Sequence, residues 1–140
     1  LPASVPVMKV STIRQTATFA ATPKEVYMAL MDTRLHSRFT GSKAHIGKDV
    51  GDAFTTYDGY IDGLNLALEP GKRIIQSWRA HEIGWPEDHY SQVSYRLVPA
   101  GKRTRVVLQH ERVPSELVES LREGWKEHYW APLRAMLQQN

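Results

Sequence analysis

The sequence predicts an α+β fold: a curved, seven-stranded antiparallel sheet wrapped on a long C-terminal helix, with two short helices after the first strand. Two observations predict it. Six segments between about residues 43 and 112 alternate apolar and polar side chains and are parted by Gly47, Gly51, Pro70-Gly71, Pro86 and Ala100-Gly101, so successive strands should turn back on one another. A separate helical periodicity runs from Ser115 to about Leu137, after Pro114 ends the last strand.

The elements follow in order. Ile13 to Phe19, "IRQTATF", alternates around β-branched residues and reads as the first strand. Thr22-Pro23-Lys24-Glu25 then carries a helix start: Thr at the N-cap, Pro at the first helical position, Glu three residues after the cap. Residues 33 to 39, "TRLHSRF", suit a second short helix ending at Gly41. Strands are expected near 43–47, 52–58, 60–69, 72–80, 89–98 and 103–112. Residues 8 to 138 are expected to form a single domain, and 1 to 7 a flexible end.

Phase assigns faces. At about 100° per residue, Val118, Leu121, Trp125, Tyr129, Pro132, Leu133 and Met136 share one stripe of the last helix. His128 borders that stripe, while Lys126, Glu127 and Trp130 lie elsewhere. Gly124 costs about 1 kcal/mol relative to Ala in a helix interior, and Pro132 cannot donate to the carbonyl of His128. A notched, bent helix with a gap beneath it is the expected outcome. In the strands, alternation groups Val106, Leu108 and His110; His89, Ser91, Val93, Tyr95 and Leu97; Ile74, Gln76 and Trp78; and Asp62, Leu64, Leu66 and Leu68.

Composition narrows the function classes. The chain has 140 residues and no cysteine, which removes disulfides, thiolate metal sites and cysteine nucleophiles. Its net charge of +3 is spread as 18 basic residues among 15 acidic ones, without a basic stripe, so nucleic acid is not an expected partner. Apolar runs are too short to span a bilayer, and a cytoplasmic location is expected. The six histidines show none of the HxH, HxxxH or HExxH spacings of metal sites, so no metal and no organic cofactor are expected.

Taken in order, "TPKEVYMAL", "FTG", "YDGYIDGLNLALEPGKRIIQSWR", "WPEDHYSQVSYRL", "ERVP" and "GWKEHYWAPLRAML" resemble the activator of heat-shock protein 90 ATPase homologue family, in the SRPBCC superfamily of START-like helix-grip domains. The likeness covers roughly residues 8 to 138, and "WPEDHYS" and "GWKEHYW" are its most family-specific pieces. It implies a helix-grip fold with a cavity between sheet and helix, and a heat-shock chaperone as one kind of partner. In that family the eukaryotic co-chaperones carry a separate N-terminal domain with a major part in chaperone contact; the resemblance here is to the START-like portion.

The leading expectation is a protein that binds a small apolar or amphipathic ligand, with Trp78, Tyr95, Trp125 and Tyr129 as pocket walls and His110 as polar anchor. A chaperone-associated interaction module, using the sheet's outer face or the loop at Trp85-Pro86, is the alternative. A third reading makes His110 an acid–base group with a partner such as Asp62, in a cyclase or hydrolase type of enzyme. No nucleophile motif accompanies it, so no catalytic residue is assigned.

Overall fold

Alternating inward residues give the sheet one face to cover, and the last helix covers it. The computed structural model describes residues 8–138; the segment expected to be a flexible end lies outside them. The strands are β1 (Val10–Phe19), β2 (His45–Ile46), β3 (Ala53–Thr56), β4 (Ile61–Glu69), β5 (Arg73–Ala80), β6 (Ser91–Ala100) and β7 (Arg103–Pro114). They form one antiparallel sheet in the order β1-β7-β6-β5-β4-β3-β2: the six later strands make the expected meander, and β1 adds to it beside β7. Register shifts in β1 between Ser11 and Ile13, and in β4 between Asn65 and Ala67, bend the sheet around its contents.

Two short helices follow β1. Helix α1 (Pro23–Met31) begins with the expected capping box: Thr22 Oγ1 accepts from the Glu25 amide at 3.2 Å, and the Glu25 carboxylate accepts from the Thr22 amide at 3.0 Å. Helix α2 (Thr33–Thr40) is capped by Asp32, which accepts from the Leu35 amide at 2.9 Å, and ends at Gly41 in the left-handed conformation.

The expected single terminal helix is interrupted. A 3-10 turn at Ser115–Leu117 leads into α3 (Val118–Trp125), a π-helical segment at Lys126–Trp130 and α4 (Ala131–Leu137). The cause is in the sequence. Pro132 has no amide hydrogen to give to the His128 carbonyl, and the backbone widens over the preceding turn. That carbonyl instead accepts from the Tyr57 hydroxyl at 2.5 Å.

Two phase assignments change. In β4 the inward residues are Ile61, Gly63 and Asn65, while Leu64 and Leu66 are 45% and 43% exposed and Asp62 lies on the outer face. Gly63 is forced there, because a Cβ would meet the Ser77 carbonyl oxygen at 1.8 Å. Asn65 is held inward by its amide, which donates to the carbonyls of Gly47 and Asp49 and accepts from Gln76 at 3.0 Å. In the terminal helix Trp130 does not point away; it is buried, with its indole N–H donating to the Gln15 side chain at 2.8 Å. Through the π segment each residue turns less than 100°, and Trp130 comes round to stack on Trp125 with ring centroids 5.6 Å apart.

Candidate functional site

Trp125 is the hub of the interior. Its ring lies 5.9 Å from Trp78, 6.0 Å from Tyr95, 5.7 Å from His110 and 4.8 Å from Tyr129, so all five residues singled out from the sequence meet in one cluster. Pairs in such tilted or edge-on geometries contribute about 0.5–1.5 kcal/mol each beyond the area they bury. Their access to space differs.

His110 is enclosed. The Trp125 indole N–H can only donate, so at 3.1 Å it fixes His110 Nδ1 as an acceptor. In the neutral ring Nε2 then carries the proton, which it gives to Ser91 Oγ at 2.8 Å; Ser91 passes its own hydrogen to the Trp78 carbonyl at 2.7 Å. Every direction of the imidazole is used, and burial lowers its pKa from 6.5 to about 3. Asp62, the partner weighed for an acid–base pair, is on the opposite face of the sheet. There it accepts from Arg79, Tyr90 and His81. His110 therefore ties β5, β6, β7 and α3 together and does not reach open space.

A second buried histidine, which sequence reasoning missed, closes the other end of the cluster. His36 in α2 lies 3.0 Å from the Leu30 carbonyl through Nδ1 and 3.2 Å from the Tyr129 hydroxyl through Nε2. The carbonyl requires Nδ1–H, so Nε2 accepts from Tyr129, whose oxygen in turn accepts from Thr56 Oγ1 at 3.1 Å. Burial lowers the His36 pKa to about 4, and burial likewise raises that of the Tyr129 phenol. The signal in the sequence was its spacing: His36 precedes Phe39 by three residues, which puts both on one face of α2.

The space lies at one end of this cluster. Deep between helix and sheet, the void beside Tyr95, Gln76 and His36 measures about 10 Å³, room for about one water. Toward solvent, a cleft of about 610 Å³ opens between the terminal helix and the β3–β4 turn. Trp78, Trp125 and Tyr129 line it, whereas Tyr95 and His110 do not. Tyr57, Tyr60 and Ile61 form the facing wall, with Glu82 from the β5–β6 loop at the rim.

Gly124 occupies the middle of the helical wall. Its neighbours one turn away in each direction, Ser120, Leu121, Glu127 and His128, all line the cleft, and a Cβ built on it would meet no atom within 4 Å. The glycine's propensity cost of about 1 kcal/mol thus coincides with preserved open space.

The facing wall is held under strain. Tyr57 and Asp58 both adopt left-handed backbone angles, φ 51° and 55°, before Gly59 at 88°. For a residue with a Cβ this costs of order 1–2 kcal/mol. The Tyr57 hydroxyl bond to the His128 carbonyl, and edge-on contacts of its ring with His128 and Tyr129 at 5.8 and 5.9 Å, offset that cost and brace the cleft across its mouth.

Trp85 is turned inward, buried against Trp78 with centroids 5.7 Å apart, and its indole donates to the His89 carbonyl. What that loop shows to solvent is Ile83, 98% exposed. Among the described residues, no three His, Asp or Glu side chains converge to hold a metal ion, and no helix is long and apolar enough to cross a membrane.

Comparison with known proteins gives a consistent picture. The family model described as "Activator of Hsp90 ATPase homolog 1-like protein" matches residues 20–138. The chain is 28% identical over 123 residues to the activator of 90 kDa heat shock protein ATPase homolog 2 of Mus musculus, covering 88% of this chain and 37% of that protein. It is 30% identical over 116 residues to the activator of 90 kDa heat shock protein ATPase homolog of Dictyostelium discoideum, covering 82% and 30%. It thus spans about a third of the length of these relatives. Among solved structures, an HSP90 activator from Plasmodium falciparum superposes with a TM-score of 0.84 at 21% identity, over 91% of this chain and 96% of that one. The Aha1 dimer from Colwellia psychrerythraea gives 0.76 at 18% identity, over 92% and 97%. At these identities the structures share the helix-grip fold.

Proposed function

The chain belongs to the family of activator of Hsp90 ATPase homolog 1-like proteins, and from that premise we propose that it binds a small apolar or amphipathic molecule in the cleft between its terminal helix and the β3–β4 turn. One observation carries the reading. A volume of about 610 Å³, within the range of small-molecule sites, is lined by Trp78, Trp125, Tyr129, Tyr57 and Tyr60 and kept open by a helical glycine. The ligand set is Trp78, Trp125 and Tyr129, with Tyr57 and Gly124 joining it; Tyr95 and His110 act from behind, holding Trp125 in place. Native mass spectrometry of gently purified protein tests this. The expected result is a co-purifying small molecule in the wild type that is absent from Gly124→Leu, and an empty wild type that also gives no amide shifts near Trp125 with apolar probes would refute it.

A second reading is a chaperone-associated module, supported by the names of the relatives. Apolar groups open to such a partner include the exposed Ile83 and the outer-face pair Leu64 and Leu66. Binding to purified heat-shock protein 90 should weaken at least tenfold in Ile83→Asp or Leu66→Asp. Equal binding by wild type and both variants, or none by the wild type, would remove this reading.

A further inference from the structure

The charge around the cleft runs against that of the chain. The protein carries 18 Lys and Arg against 15 Asp and Glu, yet no Lys or Arg lines the cleft while Glu82, Glu123 and Glu127 do. Glu123 is matched by Lys126 at 3.7 Å. Glu82 and Glu127 have no ion-pair partner among the described residues; Glu82 Oε1 is shielded from solvent without a donor in good geometry, and the group beside the Glu82 carboxylate is the Tyr60 hydroxyl of the same wall. A shielded carboxylate served by a hydroxyl alone leaves room for a stronger donor, and a charged N–H makes the stronger bond.

The walls agree with the rim. Trp78, Trp125, Tyr57 and Tyr129 line the same space, and the faces of aromatic rings attract cations through their quadrupoles, most strongly where water is displaced. An anionic ligand would meet Glu82 and Glu127 with no Lys or Arg among the lining residues to offset them. Resting on the ligand-binding reading above, we infer that the cleft selects a positively charged amphipathic molecule: an organic amine with an apolar or aromatic body against Trp78 and Trp125, and its ammonium directed to Glu82.

Three probes with one body and different charge test this by amide NMR titration: naphthylmethylamine, naphthylmethanol and naphthoate. The expected order is ammonium about tenfold tighter than alcohol, with naphthoate weakest and the ammonium preference shrinking as salt rises. Glu82→Gln should bring ammonium and alcohol within about twofold, chiefly by weakening the ammonium. Glu127→Gln, at an exposed position, should narrow the gap partway. Equal binding of ammonium and alcohol to the wild type overturns the charge inference and leaves the cleft reading standing. So does a preference that survives both substitutions. Absence of shifts at Gly124 and Trp125 with all three probes overturns the cleft reading, and the inference with it.

Discussion

Replacing Gly124 separates the requirements of the helix from those of the cleft. Alanine there should stabilise the fold, because helical propensity favours Ala over Gly by about 1 kcal/mol and the new methyl meets no atom within 4 Å. Leucine has nearly the same propensity and should keep most of the gain, but its branched end projects among Leu121, Glu127 and His128, which line the cleft. With a urea m-value of about 2 kcal/mol/M, a gain of about 1 kcal/mol moves the unfolding midpoint up by about half a molar, readable from tryptophan fluorescence at 25 °C. The same samples, titrated with the naphthyl probes, should show binding little changed in Gly124→Ala and lost in Gly124→Leu. Stability rising while binding falls is the signature of a glycine retained for the space beside it. A destabilised alanine variant would mean the position is packed, and a leucine variant that binds as well as the wild type would place the ligand elsewhere; either refutes the reasoning.

Other outcomes follow from the buried polar groups. His36 and His110 have pKa values lowered to about 4 and about 3, so below pH 6.5 the unfolded chain takes up protons that the folded chain refuses, and stability falls with pH. For His36 the loss between pH 6.5 and about 4 is about 3 kcal/mol, and His110 adds a similar amount while continuing to lower pH; a melting temperature flat across that window would contradict it. Trp125→Phe keeps an aromatic ring but leaves His110 Nδ1 without its donor, and should cost about 1–3 kcal/mol in chemical denaturation. Tyr57→Phe should cost about 1 kcal/mol and speed amide exchange across Lys126–Trp130, since the His128 carbonyl loses the Tyr57 hydroxyl as donor; unchanged exchange would show that the π segment does not depend on the brace. Gly63→Ala, with its Cβ directed at the Ser77 carbonyl, should cost about 3 kcal/mol by denaturation, and a neutral result would mean β4 and β5 can separate there.

Much of the architecture was legible because it depends on local patterns. The Thr22 capping box, the turns at Pro70-Gly71 and Ala100-Gly101, and the alternation of β5, β6 and β7 each follow from a few neighbouring residues. Two failures share a cause of another kind. The β4 phase was read from leucines, but which face turns inward was decided by the Ser77 backbone crossing at Gly63 and by the bonds of Asn65, both tertiary facts. Trp130 was misplaced by applying one angular step through a segment where it does not hold; Pro132 was the available clue, since a proline four residues after a carbonyl frees that carbonyl. For the site, sequence phase placed five aromatic and imidazole groups on inward faces, and they meet in one cluster because inward position is periodic. It could not separate those facing open space from those behind them. That division depends on the strained turn at Tyr57–Gly59 and on the absent side chain of Gly124, neither of which alternation records.

The position of β1 at the edge of the sheet has a kinetic consequence. Its partner β7 lies some ninety residues later: Phe19 pairs with Thr104 and Val10 with Pro114. The remaining strands can zip as successive hairpins, but β1 has no neighbour during synthesis until β7 has followed it, and closing so long a loop is slow. Gln15 makes the wait longer. Its amide donates to the Arg122 carbonyl in α3 at 3.0 Å and accepts from the Trp130 indole, so the first strand is fixed only once the last helix has formed. Folding should thus finish by annealing the earliest-made strand to the latest-made helix, and the wall carrying Trp125 reaches its final position in that same late step.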